Sequence, residues 1–141
     1  MTAVAPRVLL TISRSWSQWS LVREKLTTLH SRHPDAVLVH GNAYSGDRQA
    51  AGIWRSLGGV DEPHPAKWWL PCTSDCRHAP RQHNGRAYCP NAGLRRNAEM
   101  VESGVDLCLS FIHAQSPGAS HCTALAEGAG ITTVRYTQEG S

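Results

Sequence analysis

The apolar residues of this 141-residue chain fall in short blocks, and each block runs into small, turn-forming residues before an amphipathic stretch begins. Val8 to Ile12, Ala36 to His40, Asp106 to Ile112 and Ile131 to Val134 are the blocks; their length and β-branched content predict buried strands. Between them Trp19, Val22, Leu26 and Leu29 recur at helical spacing, as do Ala50, Ile53, Trp54 and Leu57, then Leu94, Ala98 and Val101. Ser15 or Ser17 is expected to cap the first helix and Gly58-Gly59 to end the second. Val60 to His64 reads as an edge strand, Gln115 to Ser120 as a turn, and His121 to Glu127 as a short last helix. The order β-α-β-α-insertion-α-β-α-β predicts an α/β fold: a mostly parallel sheet with helices on both faces.

Composition narrows the setting. With 40% hydrophobic and 18% charged residues the chain has the content of one globular domain, residues 1–141. Its apolar runs stop far short of the roughly 20 residues that span a bilayer. Met1 to Pro6 carries no basic, cleavable leader, so the expected location is the cytoplasm, a host's cytoplasm if the source is a phage, and disulfides are not expected. A formal charge of +3 is too mild for a duplex-binding domain and leaves room for a local anion site.

From Pro63 to Pro90 five prolines and three cysteines replace the alternating pattern. We read residues 68–92, approximately, as an irregular insertion. Cys72, Cys76, His78 and Cys89 are the ligand inventory of a closed tetrahedral zinc site, with His83 a rival fourth ligand; zinc there would be structural, holding a segment too poor in apolar residues to order itself. Reduced thiols on a loop, or a Cys72-Cys76 redox pair, are the alternatives. Trp68 and Trp69 are suited to packing against the insertion or to stacking on a base. Cys108, inside the strongest strand, and Cys122, on a helix, read as small core residues.

Ligands of open parallel sheets bind where strand ends, loops and helix N-termini converge. Three loops here follow strong strands: Ser13 to Ser15, His40-Gly41 through Gly46-Asp47, and Ser116 through His121. Together with Pro65-Ala66-Lys67-Trp68 and Gly93-x-Arg95-Arg96-Asn97-x-x-Met100, these motifs resemble the YspA (YpsA-related) branch of the SLOG superfamily, over about Val8 to Val134. The resemblance implies a Rossmann-like three-layer sandwich, akin to LOG-type phosphoribohydrolases and the DprA fold, that binds a nucleotide or nucleotide-derived ligand. Three departures stand out. Ile12 precedes Ser13-Arg14 where relatives carry glycine, Gly118-Ala119 replaces Gly-Thr, and Cys122 occupies the position of the LOG glutamate that cleaves the N-glycosidic bond.

The expected ligand contacts are Ser13, Arg14, Gly41, Asn42, Gly46, Asp47, Arg95, Arg96, Asn97, Gly118, Ala119 and Ser120. Arginine forks match phosphate, and a helix start adds its dipole; equally, Arg95 can pair with Glu99 on a solvated face. Asp47 is suited to capping its helix or to accepting from ribose hydroxyls. His121 is placed to meet phosphate or simply to be exposed. The leading function is a binding module for a nucleotide-derived small molecule, as sensor, sequestering protein or accessory factor. The alternatives are an N-glycosidic hydrolase using Asp47 or Glu99, and a single-strand nucleic-acid binder, which the mild charge disfavours. No membrane partner is expected. Self-association is compatible with the fold, but no interface is legible.

Overall fold

The computed structural model describes residues 5–43, 46–68, 81–83, 86–89, 91–114 and 116–138. Strand β1 (Arg7–Ile12) leads through α1 (Trp19–Arg32) to β2 (Val37–His40), then through α2 (Asp47–Ser56) to β3 (Val60–Pro63). After a short antiparallel pair, β4 (Arg81–His83) and β5 (Arg86–Tyr88), come α3 (Ala92–Glu102), β6 (Leu107–His113), α4 (Pro117–Gly128) and β7 (Thr132–Gln138).

Five strands form one all-parallel sheet in the order β3-β2-β1-β6-β7. The first half of the chain winds outward from β1 in one direction and the second half in the other, so the order reverses between β1 and β6. This is the doubly wound, Rossmann-like α/β arrangement that the alternating blocks predict. Successive side chains of a strand point to opposite faces, which explains why Val8, Leu9 and Leu10 are apolar in consecutive positions: Val8, Leu10 and Ile12 pack with α1 and α2, while Leu9 turns to the cluster of Met100, Cys108, Cys122 and Ala126 beneath α3 and α4. Each fully buried Leu or Trp in these layers contributes about 1.5–3 kcal/mol of apolar transfer. Cys108 and Cys122 are core residues, and burial pushes their thiols up to about 11 and about 12.

Several local expectations are corrected. The first helix has no cap from Ser15 or Ser17. Instead Gln138, at the end of β7, accepts from the N–H groups of Ser17 (2.9 Å) and Gln18 (3.2 Å) and donates to the Ser17 hydroxyl at 2.8 Å. Helix α4 begins at Pro117 rather than His121, because proline's fixed φ suits the first helical position; Gly118, Ala119 and Ser120 therefore lie in a helical turn, not a loop. The segment read as irregular contains the β4-β5 pair. Strand β7 runs on to Gln138, since Tyr136 finds a stacking partner in Phe111, with ring centroids 4.9 Å apart. The edge strand at Val60–Pro63 is present as read.

Candidate functional site

The loop after β2 is built from the inside. Asn42 adopts φ 56°, a left-handed conformation that asparagine tolerates, and this folds the loop back on itself. The N–H groups of Gly41, Asn42 and Ala43 then each find a protein partner. Gly41 donates to Asp47 Oδ2 at 2.9 Å, Ala43 to the same oxygen at 3.3 Å, and Asn42 to His40 Nδ1 at 3.0 Å. Because His40 Nδ1 accepts, its Nε2 carries the proton and donates to Asp61 Oδ2 at 2.8 Å. Asp61 in turn accepts from Arg55 at 3.0 Å.

Asp47 is thus not the N-cap of its helix. It is the first residue of α2, behind Gly46, and its side chain clasps the preceding loop. Burial pushes its carboxyl above the ordinary range, against the lowering pull of the Ala43 N–H and the charge of Arg96. Both bonds fall on Oδ2, so among the described residues Oδ1 makes none, and Asp47 lines a cavity.

Arg96 enters the same neighbourhood from α3. Its Nη1 donates to the Gly41 carbonyl and its Nε to Asn97 Oδ1 at 3.0 Å. A Cβ on residue 41 would overlap that guanidinium, which is why glycine stands there. Gly46 has a comparable reason: a Cβ would lie 2.7 Å from Ile12 Cγ2. Asn97, 4% exposed, donates to the Gly118 carbonyl at 3.3 Å and lies 3.2 Å from His121 Nδ1, bracketing α3 to α4.

A cavity of about 400 Å³ opens where the strand order reverses, between the carboxyl ends of β1 and β6. The structure brings Ser13, Arg14, Asp47, Arg96, Asn97, Gly118 and Ala119 to its wall. Arg14 is exposed and forms no ion pair among the described residues. At the other side Ser116, the N-cap of α4, turns its hydroxyl to the His113 carbonyl (3.0 Å) and makes no cap bond. Gly118 and Ala119 thus line the cavity in a first helical turn that has no side-chain cap, at the positive end of the helix dipole. Ala114 (φ 57°) bends the chain sharply just before this turn.

Other expected contacts fall elsewhere. Gly41, Asn42, Gly46 and Ser120 are not among the wall residues, and Arg95 lines a smaller neighbouring recess with Glu99. Glu99 bonds His64 Nδ1 at 2.7 Å, not Arg95. Cys72, Cys76 and His78 lie outside the described residues, as does the side chain of His83; Cys89 is buried, its N–H donating to the Trp68 carbonyl at 2.9 Å. Among the described residues no cluster of His, Cys, Asp or Glu is arranged to hold a metal, and no helix is long and apolar enough to cross a membrane.

Thr11 and Ile12, at the end of β1, are wall residues that lie outside the loops and motifs read from the sequence; Ser15, Ala43, Met100, Ser116 and Pro117 lie within them but were not named as contacts. Ser15 Oγ lies 2.7 Å from His113 Nδ1, a hydroxyl-imidazole pair whose members are almost a hundred positions apart. For Pro117 a further signal was present, since proline before a helical run marks its first position.

The YAcAr family model, described as the YspA, cpYpsA-related SLOG family, matches residues 6–69. The Gene 61 protein of Mycobacterium phage D29 is 34% identical over 136 residues, covering 92% of this chain and 95% of that protein. Among solved structures, one described as a crystal structure analysis of the glycotransferase of kitacinnamycin aligns over 94% of this chain and 29% of its own, with 16% identity and a TM-score of 0.42, too distant to inform fold or function. The β1-α1-β2-α2-β3 half carries the matched family region, the phage relative extends the likeness along nearly the whole chain, and the chain belongs to the YspA, cpYpsA-related SLOG family.

Proposed function

We propose that the cavity between β1 and β6 binds a nucleotide or nucleotide-derived small molecule. The observation that carries this reading is convergence: the Arg14 and Arg96 guanidinium groups and the uncapped start of α4 meet at one cavity, with Asp47 on the same wall. Two arginines and a helix N-terminus offer charge and directed N–H donors to a phosphate. The unbonded Asp47 oxygen is an acceptor suited to ribose hydroxyls. Hydrolysis is not part of this reading. At the position matching the LOG glutamate stands Cys122, fully buried, its thiol pushed up to about 12 by burial and unable to serve as an acid or base near neutral pH.

Thermal shift with AMP, ADP-ribose and NAD tests the pocket, because a ligand of the folded state raises stability by mass action. A concentration-dependent rise that Arg96→Ala abolishes is expected. Failure of all three nucleotides to shift the transition would overturn the proposal, and release of free base from any of them would replace binding by catalysis.

A structural zinc ion on Cys72, Cys76, His78 and Cys89 belongs to the same proposal. Support comes from the donor set and from the buried seat of Cys89 three residues before α3 begins. Elemental analysis of protein purified without chelator should find one zinc per chain, lost in Cys72→Ser; zinc-free protein with a normal unfolding transition would end it.

A further inference from the structure

The two edges of the sheet are built differently. Strand β3 is four residues long and ends in Pro63, which has no N–H to offer, and its Asp61 and Glu62 are engaged by His40, Arg55, Arg7 and His64. Short length, proline and charge are the usual means of keeping a foreign strand off an edge. Strand β7 has none of these protections. It runs for seven residues without proline, and its one charged residue, Arg135, is turned to α4, where Glu127 accepts from its Nε at 2.9 Å. Two other side chains hold the strand in place: Tyr136 stacks on Phe111, and Gln138 bonds the residues that lead into α1. Among the described residues no strand pairs with its outer edge.

Beside that edge, on the face of the sheet that carries α1, lies a groove of about 410 Å³. Leu29, Leu107, Leu109, Val134 and Tyr136 make it apolar, and Val134 is 37% exposed. Lys25, Arg32 and His33, all from the α1 side, form its rim, and among the described residues no carboxylate lines it. Arg32 forms no ion pair among the described residues. Lys25 meets the exposed carboxylate of Glu24 only at 3.9 Å, and its ammonium lies 5.6 Å from the centre of the Tyr136 ring, so it already reaches over β7.

Spacing sets the kind of guest. Lys25 and Arg32 are seven positions apart on α1, about 10 Å along its axis. In an extended strand, residues four positions apart span about 13 Å and point to the same face, and the residue midway between them points there too. We infer that β7 is a docking edge for an extended segment of another protein, which adds a sixth strand to the sheet and carries the pattern acidic-x-apolar-x-acidic. The apolar residue covers Val134, and the two carboxylates reach Lys25 and Arg32. Backbone pairing supplies affinity and the groove supplies selectivity. A second copy of this chain is the wrong occupant, because β7 carries no carboxylate and a two-fold pairing brings the Lys25 and Arg32 rims of both copies to one seam. The surface shares no residue with the nucleotide cavity and does not depend on what fills it.

NMR titration of the backbone amides with the peptide acetyl-Thr-Glu-Thr-Val-Thr-Glu-Thr-amide, and with its counterpart carrying lysine for both glutamates, tests the inference. The acidic peptide should shift the amide signals of Thr132 to Gln138 and leave those of Val60 to Glu62 unmoved. The lysine peptide should bind on the order of tenfold more weakly, and Lys25→Glu combined with Arg32→Glu should reverse the preference. No shift in β7 with the acidic peptide, equal affinity for the two peptides, or a preference that the double variant leaves intact would overturn the proposal. So would a concentration-dependent dimer that buries β7, which gives the edge to a second copy, and a thymidine octamer that displaces the acidic peptide, which gives it to single-stranded nucleic acid.

Discussion

A methyl group built on Gly41 runs into the Arg96 guanidinium, whereas one built on Gly118 meets nothing within 4 Å. Both glycines follow a strand at the carboxyl edge of the sheet, and read from sequence they look like two copies of one anion-cradling device. They are not. The Gly41 loop spends its N–H groups on Asp47 and His40 and its carbonyl on Arg96, so glycine serves the protein. The Gly118 turn leaves its N–H groups uncapped and the space above it empty, so glycine there serves whatever enters the cavity.

That contrast can be broken by substitution. The largest effect belongs to Asp47→Ala, which strands two loop N–H groups; a stability loss of about 2–4 kcal/mol is expected in urea unfolding, with a smaller loss in Asp47→Asn because an acceptor oxygen survives. Next is Gly41→Ala. Its Cβ displaces the end of a flexible side chain rather than backbone, so the fold should lose only about 1 kcal/mol, while AMP affinity falls as far as it does in Arg96→Ala. Retained affinity in Gly41→Ala would show that the seat of Arg96 on this loop is unimportant. Gly118→Ala should behave in the opposite sense: stability unchanged or raised by up to about 1 kcal/mol from helix propensity, and AMP binding weakened by a methyl in the cavity. Equal stability losses in the two alanine variants would dissolve the distinction.

The smallest effect is a pH dependence. Burial opposes a charge on His64, but its bonds to Glu62 and Glu99 outweigh it and raise its pKa above 6.5. Stability from this contact is therefore complete below the unfolded-state value and is lost as pH rises through the folded-state value. His64→Gln should flatten that part of the stability profile, and an NMR titration of the ring should place its midpoint above that of a free histidine.

The layered fold was legible because burial on two faces leaves an unmistakable trace: β1 and β6 are apolar in consecutive positions, and α2 has Ala50, Ile53 and Trp54 on one face. The site was legible only in part. Arg14, Arg96 and Asp47 were visible as charged residues beside strand ends, yet nothing local announces that Asp47 reaches back to two loop amides or that Glu99 takes His64 instead of Arg95. The second choice is made between residues 35 positions apart, where spacing along a helix has no say. The boundary of α4 was missed for a related reason: Gly118 and Ser120 are turn formers by habit, and Pro117 overrode them by fixing the first helical φ.

The placement of β1 at the centre of the sheet also bears on how the chain assembles as it is synthesised. Once Pro63 has emerged, β3, β2 and β1 can pair, but β1 then has one open edge. That edge closes only when β6 arrives to pair Leu9 with Cys108 and Ile12 with Phe111, and the segment leading into α1 receives its bonds from Gln138 later still. Until then the half-sheet presents a row of unpaired backbone groups, a liability for strand-to-strand association between nascent chains. A truncation that stops before β6 should therefore aggregate rather than persist as a smaller domain, and the cavity between β1 and β6, whose opposite wall is α4, comes into being only with the last third of the chain.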